Sequence, residues 1–266
     1  ICVISFLGTS QNDEGEGSGA PRRTAISGDF PDGQTYLYEW VTGDYIYLST
    51  GDKSRNVESP YSNLSYKSTK GEFTFASDSL VADQYVIFYS GTNRGDKDHP
   101  IPFNKVKVAT TQTQNSPDNS DHLGASGDCG VATAIRQNNS NYSFVLDHKT
   151  AVICFMPRVE AYKGTLLNTL RLKRVAVKAD KNIAGTFTLS PEGLAATPDE
   201  STGSDTITLL TNNFNLPIPH QKGTAQDSIA SYMVVAPQSG KTNFKVHYRI
   251  YDVQSEIDTV VMRTFS

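Results

Sequence analysis

The chain has 266 residues and a formal net charge of −4, with 13 tyrosines, 12 phenylalanines and 20 glycines. This length suffices for one large domain or two of ordinary size. The acidic balance and the lack of a basic stripe in the sequence argue against nucleic acid as a partner. No apolar run reaches the roughly 18 residues that a membrane-spanning helix needs, and the aromatic, threonine, serine and glycine residues favour strands and turns.

The N-terminal segment opens with the apolar run Ile1–Leu7, followed by small residues and an acidic, glycine-rich spacer at residues 11–19. This order resembles the end of a bacterial export signal with a flexible tether, in which Cys2 would be a candidate lipid anchor. The same residues could equally form an N-terminal β-strand that pairs with the first sheet. Residues 1–21 are therefore interpreted as either an export-signal remnant with its tether or an N-terminal strand.

Thirteen further segments are predicted to be β-strands because they are rich in β-branched and aromatic residues and are bounded by turn residues. Several alternate apolar and polar residues, most plainly Phe244–Tyr251. The predicted strands span residues 35–41, 44–49, 72–76, 84–90, 104–110, 143–147, 150–156, 169–178, 183–189, 205–210, 231–235, 243–252 and 257–264. Two polar stretches, residues 111–128 and 191–204, are predicted to be long loops.

Thirteen strands exceed one ordinary sandwich and suit two. The sequence thus predicts an all-β protein with two β-sandwich domains in tandem, spanning residues 22–142 and 143–266. The segment Ser143–Phe155 consists of two apolar strand segments around a polar interruption, and we interpret it as the first strand of the second domain. His148 would then bond a backbone group at a bend, and Cys154 would lie in the core.

The chemistry-bearing side chains do not form a recognisable catalytic motif. Paired carboxylates, a nucleophile elbow and a metal-ligand cluster are all missing at a useful spacing, so we predict no enzyme, no cofactor and no metal. Weaker alternatives remain open: a sugar-stacking Trp40 in place of a core residue, and calcium binding by Asp118, Asp121 and Asp128 in place of an exposed acidic loop. A Cys129–Cys154 bridge in an exported protein and adhesion through the tripeptide at residues 94–96 also stay open.

Seven short motifs follow one another along the chain. They are Trp40–Leu48, Gly71–Thr74, Tyr85–Tyr89, Asp121–Ala125, Leu146–Ala151, Ala236–Gln238 and Phe244–Tyr251. In this order and spacing they resemble the fimbrillin-like (Mfa-like) family of bacterial surface proteins and pilins, over most of residues 22–252.

The resemblance implies a transthyretin-like (Ig-like) fold for each of the two sandwiches. It also implies export by a lipoprotein route to the bacterial cell surface, at the outer membrane or in a fimbrium. The implied function is that of a structural or adhesive fimbrial subunit, whose partners are other subunits, of the same or a related kind, joined by β-strand addition. A host protein or glycan is a further candidate partner, and the alternative function is a non-polymerising surface lipoprotein that binds one of these.

Two segments bear on strand addition. If the chain is a pilin of the resembled family, a trypsin-like protease would cut at Arg22 or Arg23, release the N-terminal strand and leave an open sheet edge for another subunit. The terminal run 257–265 is a candidate donor strand, with Ile257, Val260, Met262 and Phe265 as its apolar residues. The plainer alternatives are a solvated basic pair and the last strand of the second domain.

Overall fold

The computed structural model of the chain describes residues 3–9, 25–27, 37–40, 44–49, 56–58, 61–62, 70–76, 80–92, 101–138, 141–157, 169–216 and 229–265. Over these ranges the protein is essentially all-β, with several antiparallel sheets, which confirms the predicted fold class. Its short helix α1 (Leu123–Ser126) has four residues, and no helix in the described ranges has the length and apolar character to cross a membrane.

Thirteen strands precede residue 150 and eight follow it in the described ranges. The first group is β1 (Val3–Thr9), β2 (Ala25–Ser27), β3 (Leu37–Glu39), β4 (Tyr47–Ser49), β5 (Asn56–Glu58), β6 (Tyr61–Ser62), β7 (Lys70–Ala76), β8 (Gln84–Tyr89), β9 (Lys105–Val108), β10 (Thr111–Gln114), β11 (Gly130–Arg136), β12 (Asn141–Val145) and β13 (Asp147–His148). The second group is β14 (Ala151–Phe155), β15 (Leu170–Ala179), β16 (Gly185–Ser190), β17 (Gly193–Leu194), β18 (Thr206–Asn215), β19 (Ser231–Val235), β20 (Phe244–Asp252) and β21 (Ile257–Phe265).

The first sheet has the strand order β5-β4-β8-β11-β12-β1-β7-β6, and β13 pairs with β11. One of its faces carries the first core, an aromatic-rich cluster around the buried Trp40. The cluster also contains Ile46, Leu48, Phe73, Phe75, Leu80, Tyr85, Ile87, Tyr89, Ala134, Tyr142, Phe144 and Leu146. Alternation along the strands produces this face, because successive side chains of a strand point to opposite sides of the sheet.

The second core lies among the remaining sheets. A five-stranded sheet has the order β10-β18-β15-β20-β21, and β14–β19 and β17-β16-β9 form smaller sheets. Val175, Val177, Ile207 and Leu209 come from the five-stranded sheet and pack in one cluster with residues of β9, β16 and β19. The inward residues of β15 and β18 alternate with outward ones, so one face of the five-stranded sheet is apolar and buried while the other faces solvent.

Strand pairing crosses the predicted domain boundary. The boundary between residues 142 and 143 falls inside β12, which pairs with β11 and β1 in the first sheet. Conversely, β9 and β10 from the first half pair with β16 and β18 from the second. Phe88 and Val131 of the first sheet also belong to the second core, so the two halves share buried apolar surface.

The segment Ser143–Phe155 is therefore divided between two sheets. Residues up to His148 belong to β12 and β13 of the first sheet, whereas β14 pairs antiparallel with β19. The polar interruption that separates the two apolar parts is the point where the chain passes from one sheet to the next. This differs from our interpretation of the segment as a single first strand of a second domain.

Two buried glutamines connect β10 to β19. The Gln112 amide donates to Val234 O at 2.7 Å, and its Oε1 accepts from Val234 N at 2.9 Å. The Gln114 amide donates to Ala230 O at 2.9 Å, and its Oε1 accepts from Tyr232 N at 2.8 Å. The side chains thus take the place of a backbone ladder, and they satisfy the buried N–H and C=O of Val234 and the N–H of Tyr232 in β19.

We expect Gln112→Leu to lower the free energy of unfolding by about 2–4 kcal/mol, because it leaves the buried N–H and C=O of Val234 without their side-chain partner. Chemical denaturation followed by circular dichroism measures the change. Gln137→Leu is the matched control, since Gln137 is exposed and its loss should alter stability by no more than about 0.5 kcal/mol. Equal effects of the two substitutions would contradict the bridging role of Gln112.

Candidate functional site

Strand β21 forms one border of the five-stranded sheet. It pairs with β20 along its full length, from Ile257 opposite Asp252 to Phe265 opposite Phe244. No other described strand pairs with its second edge. Eight of its nine residues are exposed, and only Val261 is half-buried. β21 therefore presents backbone N–H and C=O groups that a further strand could pair with.

The other border of this sheet is different. There the outermost strand, β10, lies against β19 and is joined to it by the Gln112 and Gln114 side chains. An added strand would have to displace these buried bonds. Of the two borders of the five-stranded sheet, β21 is therefore the one that is open to strand addition.

The four apolar residues predicted for a donor strand are all exposed large hydrophobics, at 58% for Ile257, 57% for Val260, 53% for Met262 and 52% for Phe265. They do not share one face of β21. Val260 and Met262 lie opposite Arg249 and His247 on the outer face, whereas Ile257 and Phe265 alternate onto the other face with Val261. A strand that buries a single face in an acceptor would thus use one of these two sets.

Strand β1 lies inside the first sheet. It pairs parallel with β12 and antiparallel with β7, so its backbone is bonded on both sides. The register places Phe6 opposite both Phe73 and Tyr142, and Ile4 opposite Phe75. These three partners are fully buried aromatic residues of the first core. Loss of β1 would open a slot between β7 and β12 that is lined by that core.

Three sequence-predicted site residues lie outside the described ranges. They are the candidate lipid anchor Cys2 and the candidate processing residues Arg22 and Arg23. The tripeptide at residues 94–96 also lies outside them. Of the residues predicted for lipid anchoring, processing and strand donation, the structure therefore places those of β21.

A buried polar cluster surrounds His148. Its Nδ1 lies 2.9 Å from Asp128 Oδ1, and the side chains of both residues are 1% exposed. Thr150 Oγ1 donates to the same carboxylate oxygen at 2.7 Å. The sequence suggested a backbone partner for His148 and did not indicate this carboxylate. The pairing of β11 with β13 sets Gly130 opposite His148 and thereby brings Asp128 to the ring.

This cluster links the β11 and β13 segments of the first sheet from inside. Asp128 and His148 are sealed from solvent, so a substrate has no access to them. The two strands also lie too close together for a side chain at Gly130, because an added Cβ would lie 2.8 Å from Asp147 O. The carboxylate, imidazole and hydroxyl thus fix the junction of β11 and β13 from inside.

Trp40 is fully buried and belongs to the first core. Its ring centroid lies 4.9 Å from that of Phe73 and 5.6 Å from that of Tyr89, both in edge-to-face geometry. A tryptophan with no exposed surface cannot stack on a sugar, so the structure favours the core interpretation over the sugar-stacking one.

Neither Cys129 nor Cys154 forms a disulfide. Burial raises the pKa of the Cys129 thiol well above its usual value, and burial together with the charge of Asp118 raises the pKa of Cys154 to about 12. Both thiols are therefore protonated and poorly nucleophilic near neutral pH. The alternative of a bridge between them does not hold for this structure.

The described residues contain no group of three or more His, Cys, Asp or Glu side chains that could hold a metal ion. Asp118 instead accepts a hydrogen bond from Ala230 N at 2.7 Å, and Asp121 accepts from the Asn119 side-chain amide at 2.9 Å. Asp128 is committed to His148 and Thr150. The three aspartates considered for calcium therefore serve separate structural contacts.

Comparison with known proteins assigns the chain to no family. No protein-family model, curated protein or solved structure matches this chain. The observations that bear on function are the open edge of β21 and the enclosed position of β1.

Proposed function

We propose that the protein is a structural or adhesive subunit of a bacterial fimbria and assembles by strand exchange at the cell surface. In this proposal β21 of one copy takes the place of β1 in the next. The observation that carries it is the contrast between β1, which is bonded on both sides within a sheet, and β21, which is an exposed border strand. The finer fold proposed with it is a pair of transthyretin-like sandwiches.

The residue pattern of β21 supports this exchange. Along β1, positions 4, 6 and 8 carry Ile, Phe and Gly, and they lie opposite buried residues of β7 and β12. The outer face of β21 offers Val260, Met262 and Thr264 at the same two-residue spacing. In β1 and in β21 alike, two apolar residues are followed by a smaller residue. The slot is narrow at its third position, where a Cβ on Gly71 would lie 3.2 Å from Trp40.

The energetic balance also favours transfer of β21 from its present place to the slot. Only Val261 of this strand is half-buried, so detachment exposes little additional apolar surface. In its present place β21 has one backbone ladder, with β20. In the slot it would gain two, with β7 and β12, and it would bury one apolar face. Strand addition of this kind needs no catalytic chemistry.

The remaining parts of the proposal concern export and processing. Cleavage at Arg22 or Arg23 would separate β1 from the rest of the chain, and its departure would open the slot. Export to the outer membrane, with Cys2 as the lipid anchor, would place the subunit where fimbriae grow. Other fimbrial subunits would be the partners.

The test compares the full chain with a chain that lacks residues 1–23. We expect the full chain to stay monomeric and the shortened chain to form SDS-resistant ladders and filaments visible by electron microscopy. A synthetic peptide of residues 257–265 should bind the shortened chain and stop its polymerisation. A folded shortened chain that stays monomeric and ignores the peptide would contradict the proposal, as would equal polymerisation of the full chain.

The double substitution Val260→Asp and Met262→Asp in the shortened chain should abolish assembly, because it puts two carboxylates into an apolar slot. The matched control is Val81→Asp with Val253→Asp, which changes two exposed valines outside β21. This control should assemble normally. Loss of assembly in both double variants would indicate a general effect of charge.

A further inference from the structure

The outer face of the five-stranded sheet gathers positive charge. On β15 and β20 the outward positions carry the cations Arg174, Lys178, Lys245 and Arg249, with His247 among them, and we call these five residues the basic face. The residues on β15 are distant in sequence from those on β20, and the pairing of the two strands makes them neighbours. A basic stripe is thus formed by the fold in a chain whose net charge is −4.

The arrangement opposes the stability of the sheet. Arg174 lies directly opposite Arg249, and Lys178 lies directly opposite Lys245. Like charges at directly opposed positions of an antiparallel pair are destabilising. Two such pairs on adjacent strands therefore indicate a role for these side chains other than folding.

Acidic side chains neutralise the basic face only in part. Asp258 contacts Arg249 at 2.8 Å, and Asp205 lies 3.5 Å from Lys178. Arg174 and Lys245 form no ion pair with any described residue, and both are exposed. The face therefore retains two cations that are available to a ligand.

The shape of the basic face and the hydroxyl groups beside its cations suit a carbohydrate. The small side chain of Ala176 lies between Thr208 and His247, and a depression of about 300 Å³ forms around it. Arg174, Lys178, Thr206 and Arg249 line this depression. Across β18, Thr111 of β10 is paired with Thr208 and extends the row of hydroxyls. Cations beside hydroxyl groups can bind both the acidic groups and the hydroxyl groups of a sugar chain.

We propose that the basic face binds an anionic polysaccharide through its sulfate or carboxylate groups, with Arg174, Lys178, Lys245 and Arg249 as the cations and the threonines as partners for sugar hydroxyls. The face offers little to a single-stranded nucleic acid, whose bases stack on aromatic side chains, and the DNA duplex in the experiment below tests the double-stranded form. Its outward aromatic ring, Tyr251, is covered by the Lys173 ammonium at 4.0 Å. This binding does not depend on strand exchange and takes place on the monomeric full chain.

The experiment titrates the full chain at low ionic strength with a short heparin fragment, an oligogalacturonate, a neutral dextran fragment and a short DNA duplex. We expect the heparin fragment to bind, the dextran to remain unbound and the DNA to bind more weakly than heparin. The oligogalacturonate shows whether carboxylates suffice: its binding would assign the site to acidic sugars in general, and its failure would restrict the site to sulfate. Rising salt should weaken the heparin complex.

The decisive variant is Arg174→Gln with Lys245→Gln, which we expect to weaken heparin binding by at least about tenfold. Lys107→Gln with Lys241→Gln removes the same charge from exposed sites elsewhere and should leave the affinity within about twofold of the parent value. Asp258→Asn should strengthen binding, since it removes an acid from the face. The Arg174→Gln, Lys245→Gln chain should melt no lower than the parent, because two repulsive pairs are relieved.

Three outcomes would overturn the proposal. Equal weakening by both double variants would show that only the overall charge matters. Tighter binding of DNA than of heparin would assign the face to nucleic acid. Absence of binding to either anionic glycan would show that the basic face has no such ligand.

Discussion

Trp40→Ala should lower the free energy of unfolding by about 3–5 kcal/mol, the range for truncation of a large buried aromatic residue. The ring is fully buried and makes edge-to-face contacts with Phe73, Tyr89 and Phe144. Its removal would leave a cavity at the centre of the first core, where rigid strands limit collapse. Chemical denaturation followed by far-ultraviolet circular dichroism measures the loss, since the substitution removes the one tryptophan of the chain.

Two controls separate packing from other effects. Trp40→Phe keeps an aromatic ring and should cost about half as much or less. Phe265→Ala removes an aromatic side chain that is 52% exposed, so it should change stability by less than about 1 kcal/mol. A Trp40→Ala chain as stable as the Phe265→Ala chain would refute the placement of Trp40 at the centre of the first core.

The position of Trp40 also connects packing to the proposed assembly. Phe73 belongs to β7 and Phe144 to β12, the two strands that flank β1. Trp40 contacts both. The tryptophan thus supports the floor of the slot that β1 fills, and a loosened core should weaken both β1 and any donor strand that replaces it.

The sequence predicted strands well where apolar and polar residues alternate. β19 spans Ser231–Val235 as predicted, and the predicted strand at residues 257–264 differs from β21 by one residue. In both segments local composition is sufficient, because β-branched and aromatic residues occupy an extended run bounded by turn residues.

β10 was missed because its buried positions are polar. Residues 111–128 were predicted to be a loop, yet Gln112 and Gln114 point inward and bond the backbone of β19. Their partners lie more than a hundred residues away, at Val234 and Ala230. A pattern of apolar residues cannot indicate a strand whose inward side chains are satisfied by hydrogen bonds.

Features that depend on sheet register likewise could not be predicted from the sequence. The partnership of Asp128 with His148 needs the pairing of β11 with β13, and the basic face needs that of β15 with β20. Charge along the chain is spread out, and only the register sets Arg174 beside Arg249. The candidate residues that the sequence did not predict are therefore those that long-range strand pairing brings together.

Asp128→Ala is expected to lower the free energy of unfolding by about 3–5 kcal/mol, since it leaves the imidazole of His148 and the hydroxyl of Thr150 buried without their carboxylate. Asp147→Ala is the matched control: this neighbouring aspartate is 71% exposed and pairs with Lys149 at 2.7 Å, a surface contact worth no more than about 1 kcal/mol. Denaturation of both variants tests the difference. Because the cluster fixes β13 to β11, one strand away from β12, a weakened cluster should also reduce peptide uptake by the chain that lacks residues 1–23. Unchanged stability of Asp128→Ala would show that the buried carboxylate is dispensable, and the slot would then owe its shape to the aromatic core alone.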